Sequence, residues 1–154
     1  MSLTAEADFH IRKAEEDELD AIRDLILRAG INPTKLDWRN FLVAEAEDGE
    51  FLGCGQVKQH ADGSCELASL AVEKGHQGRG VGSALIMTLL EQHPDRLYLM
   101  CQASMGALYE RYGFQAIEEA EMPTYFRRVS RLPGVLGNLA EQGESLLIMR
   151  RESA

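Results

Sequence analysis

At 154 residues, 45% hydrophobic and 27% charged, the chain amounts to one domain of ordinary globular composition, long enough to bury a substantial core. Its formal charge of −9 argues against a nucleic-acid partner, since gripping a phosphate backbone calls for a basic face. No apolar run reaches membrane-spanning length and no basic leader precedes an apolar core, so neither a membrane partner nor a secretory signal is expected.

In chain order, residues 9–14 predict a short first strand. Leu19, Ile22, Leu25, Ile26 and Ala29 then make a helical stripe that Gly30 ends. Residues 33–38, with Pro33 in the first turn, predict a short second helix. Residues 41–46, 51–59 and 64–73 read as strands joined by two short turns, Glu47-Asp48-Gly49-Glu50 and Ala61-Asp62-Gly63, hence an antiparallel meander. A helix opening at about Gly80 carries Val81, Ala84, Leu85, Met87, Leu89 and Leu90, is apolar around most of its circumference, and stops before Pro94. Residues 96–101 form a fifth strand. Strand, helix, strand with short links implies a parallel pair joined by a right-handed crossover. Residues 103–112 predict a helix closed by Gly113, and residues 123–132 another, broken by Pro133-Gly134. A further helical turn over 135–140 and a last strand over 146–150 complete the chain. The class is therefore α/β or α+β: a mixed, mostly antiparallel sheet of about six to seven strands with helices on both faces. No repeat, low-complexity stretch or linker divides it, so residues 1–154 are expected to form a single domain.

Cys54, Cys65 and Cys101 are an odd count without C-x-x-C spacing, all within strand-like runs. A reducing, cytoplasmic location is expected. The four histidines are scattered without the spacing of a helical metal site, and no metal is expected.

Chemistry gathers where the third meander strand runs into the glycine-rich turn and the helix beyond it. Gly75, Gly78, Gly80 and Gly82 remove the side chains that would hold a ligand away from the backbone. The first N–H groups of the helix have no partners within it, and with the positive end of the helix dipole they suit a phosphate or pyrophosphate. Arg79 adds charge and a fork of donors. The turn is not a Walker A loop, which ends in Gly-Lys-Ser/Thr, and both registers of G-x-G-x-x-G fail, at Ser83 and at Leu85.

The pattern Gln77-x-x-Gly80-x-Gly82 resembles the coenzyme A pyrophosphate loop of the GNAT superfamily of acetyltransferases, and Leu108-Tyr109-x-x-x-Gly113-Phe114 resembles that family's second signature. The likeness extends over nearly the whole chain, strongest over residues 66–114 and weak over 117–144. It implies two parallel strands that splay apart in mid-sheet, with acetyl-coenzyme A in the wedge as co-substrate. On that likeness Leu70 and Val72, with Ala71 between them, offer backbone groups to the pantetheine arm. Gln77, Gly78, Arg79, Gly80, Val81, Gly82 and Ser83 cradle the pyrophosphate.

The reaction implied is direct attack of a primary amine on the thioester in a ternary complex. An amine of pKa ~10.4 is only about a thousandth neutral at pH 7 and must lose a proton. Glu66 stands at the position from which a glutamate acts as base in some members of the family, often through water. As a residue alone it is equally a strand glutamate facing solvent or holding a salt bridge. Tyr109 matches the tyrosine that protonates the departing sulfur, the alternative being an aromatic packed beneath its helix, as Tyr112 and Phe114 are expected to be. Gln102 stands where the family usually has asparagine, keeping the amide with a longer reach. Arg127, Arg128 and Arg131 either hold a substrate carboxylate or form a solvated basic face.

The acceptor implied is a small-molecule or peptide amine, with the α-amino group of a free amino acid as the second candidate. Two other classes stay open: a coenzyme A-binding sensor without turnover, and an interaction domain that binds no nucleotide. Pairing of two copies, through the C-terminal strand or the arginine-bearing helix, is a further expectation.

Overall fold

A computed structural model describes residues 8–153. Its strands are β1 (Phe9–Lys13), β2 (Phe41–Ala46), β3 (Phe51–Gln59), β4 (Cys65–Val72), β5 (Leu97–Gln102), β6 (Gln115–Ala116) and β7 (Leu146–Arg151). Its helices are α1 (Leu19–Arg28), α2 (Val81–Gln92), α3 (Gly106–Glu110), α4 (Thr124–Val129) and α5 (Pro133–Glu141). The strands form one mixed sheet in the order β1-β2-β3-β4-β5-β7-β6. β1 with β2, β2 with β3, β5 with β7 and β7 with β6 are antiparallel. β4 and β5 are the parallel pair, registered at Glu66 opposite Tyr98.

The chain divides into two compact units. The first runs to Val57 and resumes over Ala68–Gln92; the second comprises Lys58–Leu67 and the chain from His93 onward. In the first, the stripe on α1 puts Ile22, Leu25 and Ile26 into a core with Ala14, Phe41, Val43, Cys54 and Ala71. α1 stops as the sequence predicts. Gly30 takes φ +71°, its N–H bonds to Leu27 O at 3.1 Å, and Ile31 N–H bonds back to Ile26 O at 3.1 Å, the paired bonds of a Schellman motif. In the second unit Tyr98, Phe126 and Ile148 are the buried centre, with Met100, Ile117, Met122, Tyr125 and Leu146 packed around them.

The helix expected over residues 33–38 is not formed. Asn32 Oδ1 accepts from Thr34 N–H at 3.1 Å, and Asp37 Oδ1 accepts from Arg39 N–H at 3.0 Å. These short side chains offer the backbone turns that compete with a helix, and Lys35 at φ +57° lies outside helical space altogether. Only a 3-10 turn over Trp38–Asn40 follows. The helix expected over 103–112 is shorter, a 3-10 turn at Ala103–Met105 followed by α3, with Gly113 at φ +93° closing it. The helix expected over 123–132 contracts to α4. β6, two residues long, is an addition that residue pattern does not announce.

Candidate functional site

In the first unit, β4 is bent before it reaches the glycine turn. Ser69, buried in mid-strand, has φ +58°, a left-handed conformation that costs a non-glycine residue about 1 kcal/mol or more. Its hydroxyl accepts from Gln56 Nε2 at 2.8 Å, and Gln56, fully buried on β3, also donates to Lys35 O at 3.4 Å. Past the bend the strand is fixed to β3. Glu73 N–H bonds to Leu52 O at 2.8 Å, and the carbonyl of Ala71 packs on Gly53 so closely that a Cβ there would lie 2.8 Å from it. Backbone groups alternate along a strand, so those of Leu70 and Val72 point away from β3. Ala71 itself is buried in the core.

The turn is anchored at both ends. The carboxylate of Glu73 takes two bonds from Arg28, at 2.8 and 3.2 Å, and Gln77 Nε2 reaches back to Val72 O at 3.4 Å. Gly78 at φ +81° and Gly80 at φ +86° are left-handed, and a Cβ at either would meet nothing within 4 Å. Backbone conformation, rather than space, is what requires glycine there. Val81 is buried and roots α2 in the core, whereas Gln77, Gly78, Arg79, Gly80 and Ser83 are exposed and Gly82 is half-buried against Val72. Ala84 N–H closes the first helical bond, to Gly80 O at 2.9 Å. The amides ahead of it have no acceptor within α2 and carry the positive end of its dipole.

Glu66 and Tyr109 belong to the second unit. Glu66 does not face solvent. It is 4% exposed, and its Oε1 lies 2.8 Å from Nε2 of His60, itself 3% exposed. The face of His60 is covered by the ring of Tyr125, stacked at 3.5 Å and 14°, and Phe126 meets it edge-on at 5.7 Å. Burial, reinforced by the Glu66 charge, raises the Tyr125 phenol above its ordinary pKa. Tyr109, on α3, is half-buried with its ring edge-on to Phe114 at 6.3 Å. Burial raises its phenol too, with smaller contributions from Cys101 and Tyr112. At neutral pH it stays protonated and able to donate. Gln102 Nε2 donates to Gln142 Oε1 at 3.0 Å. Of the three arginines, Arg127 donates to Met122 O at 2.9 Å, Arg131 pairs with Glu119, and Arg128 is exposed on α4.

His60, Tyr125, Ser69 and Gln56 are the residues that sequence reasoning misses. His60 and Glu66 flank the Ala61-Asp62-Gly63 turn, closed by His60 N–H to Ser64 O at 2.8 Å, so a hairpin register drawn through that turn is the signal that would have put them on one face as diagonal neighbours. The three cysteines are free; burial pushes Cys54 up to about 12, Cys101 to about 11, and Cys65 upward as well. Thiols so rarely ionised at neutral pH are poor nucleophiles. Among the described residues no group of three or more His, Cys, Asp or Glu side chains is arranged to hold a metal ion, and no helix is long and apolar enough to cross a membrane.

A family model described as an acetyltransferase (GNAT) domain matches residues 37–116. Among solved structures, N-acetylglutamate synthase from Neisseria gonorrhoeae, complexed with coenzyme A and N-acetyl-glutamate, superposes with a TM-score of 0.73 at 24% identity. That match covers 97% of this chain and 36% of the synthase, so the chain spans about a third of the synthase's length. Rv2747 from Mycobacterium tuberculosis, in complex with CoA, matches with a TM-score of 0.70 at 22% identity over 94% of this chain and 99% of its own. An acetyltransferase of the GNAT family from Staphylococcus aureus matches with a TM-score of 0.66 at 18% identity, covering 93% and 98% of the two chains. At these identities the likeness is one of fold.

Proposed function

Since the chain belongs to the GNAT acetyltransferase family, we propose that it transfers the acetyl group of acetyl-coenzyme A to a primary amine by direct attack in a ternary complex. One observation carries the reading. The turn from Gln77 to Ser83 presents bare backbone at the start of α2, with Gly78 and Gly80 in conformations that only glycine adopts readily. The amides of Gly78, Arg79, Gly80, Val81, Gly82 and Ser83 hold the pyrophosphate, joined by the side chains of Gln77 and Arg79. Leu70 and Val72 supply main-chain partners to the pantetheine amides, with Ala71 anchoring the strand between them.

Glu66 takes the proton that the attacking ammonium must lose. Tyr109 donates a hydrogen bond to the sulfur as the C–S bond breaks. Full transfer from a phenol near ~10 to a thiolate near ~8.5 is uphill by about 2 kcal/mol in water, and the burial of Tyr109 steepens it. A bond that strengthens toward the transition state is therefore the better description of its role. The three free cysteines support a reducing, cytoplasmic location.

A second reading narrows the acceptor to the α-amino group of a free amino acid. It is favoured by the structural likeness to a synthase bound to N-acetyl-glutamate. In that case a substrate carboxylate would fall first to Arg128, since Arg127 and Arg131 already have partners.

The experiment is to incubate the protein with acetyl-coenzyme A and a panel of amines, free amino acids included, and follow release of coenzyme A. Turnover should fall by roughly 10–100-fold in Tyr109→Phe while coenzyme A affinity holds. Gly80→Asp with Gly82→Asp should abolish coenzyme A binding by calorimetry. Binding without turnover across the panel would replace the enzyme with a sensor. No binding at all would remove both.

A further inference from the structure

The contact between His60 and Glu66 is built from several directions. A carboxylate only accepts, so the 2.8 Å contact requires the imidazole to carry its proton on Nε2. The ring is held in that pose by the Tyr125 stack and the edge of Phe126. Tyr125 is held in turn, its backbone N–H donating to Asp62 Oδ2 at 3.0 Å, on the turn that follows His60. The charged and titratable neighbours are few. Lys58, 4% exposed, falls opposite Glu66 in the register that the His60–Ser64 bond sets, Asp62 lies on the turn, Tyr98 stands opposite Glu66 on β5, and Tyr125 is on α4.

We propose that His60 is a positioning residue for the acetyl-transfer step: its Nε2–H holds the Glu66 carboxylate in the pose from which it takes the amine's proton, and Tyr125 on α4 is the clamp that keeps the imidazole in place. This rests on the reading of Glu66 as the group that takes the amine's proton. Buried pairs of this kind are rarely worth more to stability than apolar residues of similar volume. Orientation is what the pair adds. A proton-transfer group misplaced by even an ångström loses much of its effect, and a glutamate side chain has three rotatable bonds to misplace it.

The test uses acetyl-coenzyme A with whichever of the free amino acids, spermidine or a lysine-bearing peptide turns over fastest. His60→Leu, which has no donor, should lower kcat roughly tenfold or more while KM for acetyl-coenzyme A stays within about twofold. His60→Gln, whose amide donates from nearly the same place, should recover most of the loss. Glu66→Gln alone should cost about 100-fold or more, and adding His60→Leu to it should cost nothing further, because the group being aimed is gone. Equal losses in His60→Leu and His60→Gln, a loss in KM alone, or additive losses in the double variant would overturn the positioning role and leave Glu66 as the proton acceptor. An undiminished Glu66→Gln enzyme would instead remove Glu66 from the chemistry, and the positioning role with it. Should His60→Leu fail to fold, or no amine turn over, nitrogen-resolved NMR of the histidines in the unsubstituted protein decides. A proton on Nε2 of His60, its resonance moving in Glu66→Gln, supports the proposal; an Nε2 that carries no proton overturns it.

Discussion

Asp62 is exposed, yet it is the residue that ties the β3–β4 turn to α4. Its Oδ1 accepts from Ser64 N–H at 2.9 Å and Ser64 Oγ at 2.6 Å, and its Oδ2 accepts from Tyr125 N–H at 3.0 Å. Partial burial works against the charge, but these donors outweigh it and hold the carboxyl at about 2, below its ordinary 3.8. A group whose pKa falls on folding stabilises the fold above its unfolded pKa and stops doing so as the pH drops through its folded one. Asp62→Asn should therefore be less stable than the parent by a constant amount above about pH 4, under about 1 kcal/mol given the exposure. The gap should close between pH 4 and 2, which urea unfolding across that range checks. A gap that widens on acidification would assign the hydrogen bonds a different role. The same carboxylate sets the position of Tyr125, so its loss should also loosen the ring stacked on His60.

At the scale of elements, β3 and β4 meet closely at Gly53 and Ala71. Gly53→Ala would drive a Cβ to 2.8 Å from the Ala71 carbonyl oxygen, which is backbone and cannot swing aside. We expect a loss of about 1–3 kcal/mol in denaturant unfolding and weaker coenzyme A binding, because the displaced strand carries Leu70 and Val72. Gly106→Ala makes an instructive contrast: its Cβ would meet the tip of Leu147 at 2.8 Å, a side chain that can rotate. What was legible in sequence follows the same division. The α1 stripe, its glycine stop, the meander and the glycine turn are written in residues close together in the chain, and each formed where expected. The segment at 33–38 was misread because Pro33 signals a helix start, while Asn32 and Asp37, which turn the backbone instead, carry no periodicity. The left-handed Ser69 has no compositional mark at all, since serine is ordinary in a strand and the bend depends on Gln56 of the neighbouring strand to hold its hydroxyl. Glu66 was legible as a carboxylate at a suggestive position. Its partner was not, because His60 reaches it only through the register of the hairpin.

At the scale of the whole molecule, the two compact units are not successive stretches of chain. The division falls after Val57 and after Leu67, inside β3 and β4, so both strands pass through it. A unit that lost its structure would take part of each strand with it. We therefore propose that residues 1–154 unfold as a single domain. Scanning calorimetry should give one transition with van't Hoff and calorimetric enthalpies equal within error. Two resolved transitions would instead mark the units as independent. The charge of −9 belongs to this scale as well, a property of the surface that does not bear on which fold the chain adopts.

The cysteines have a practical consequence. With Cys101 at about 11 and Cys54 at about 12, only about one molecule in a few thousand or fewer carries a thiolate at either position at pH 7.5. A chromogenic disulfide added to the assay thus meets two quiet thiols at these positions. Neither Cys54 nor Cys101 then competes with the leaving group for the reagent, and acetyl transfer can be followed continuously with both left in place.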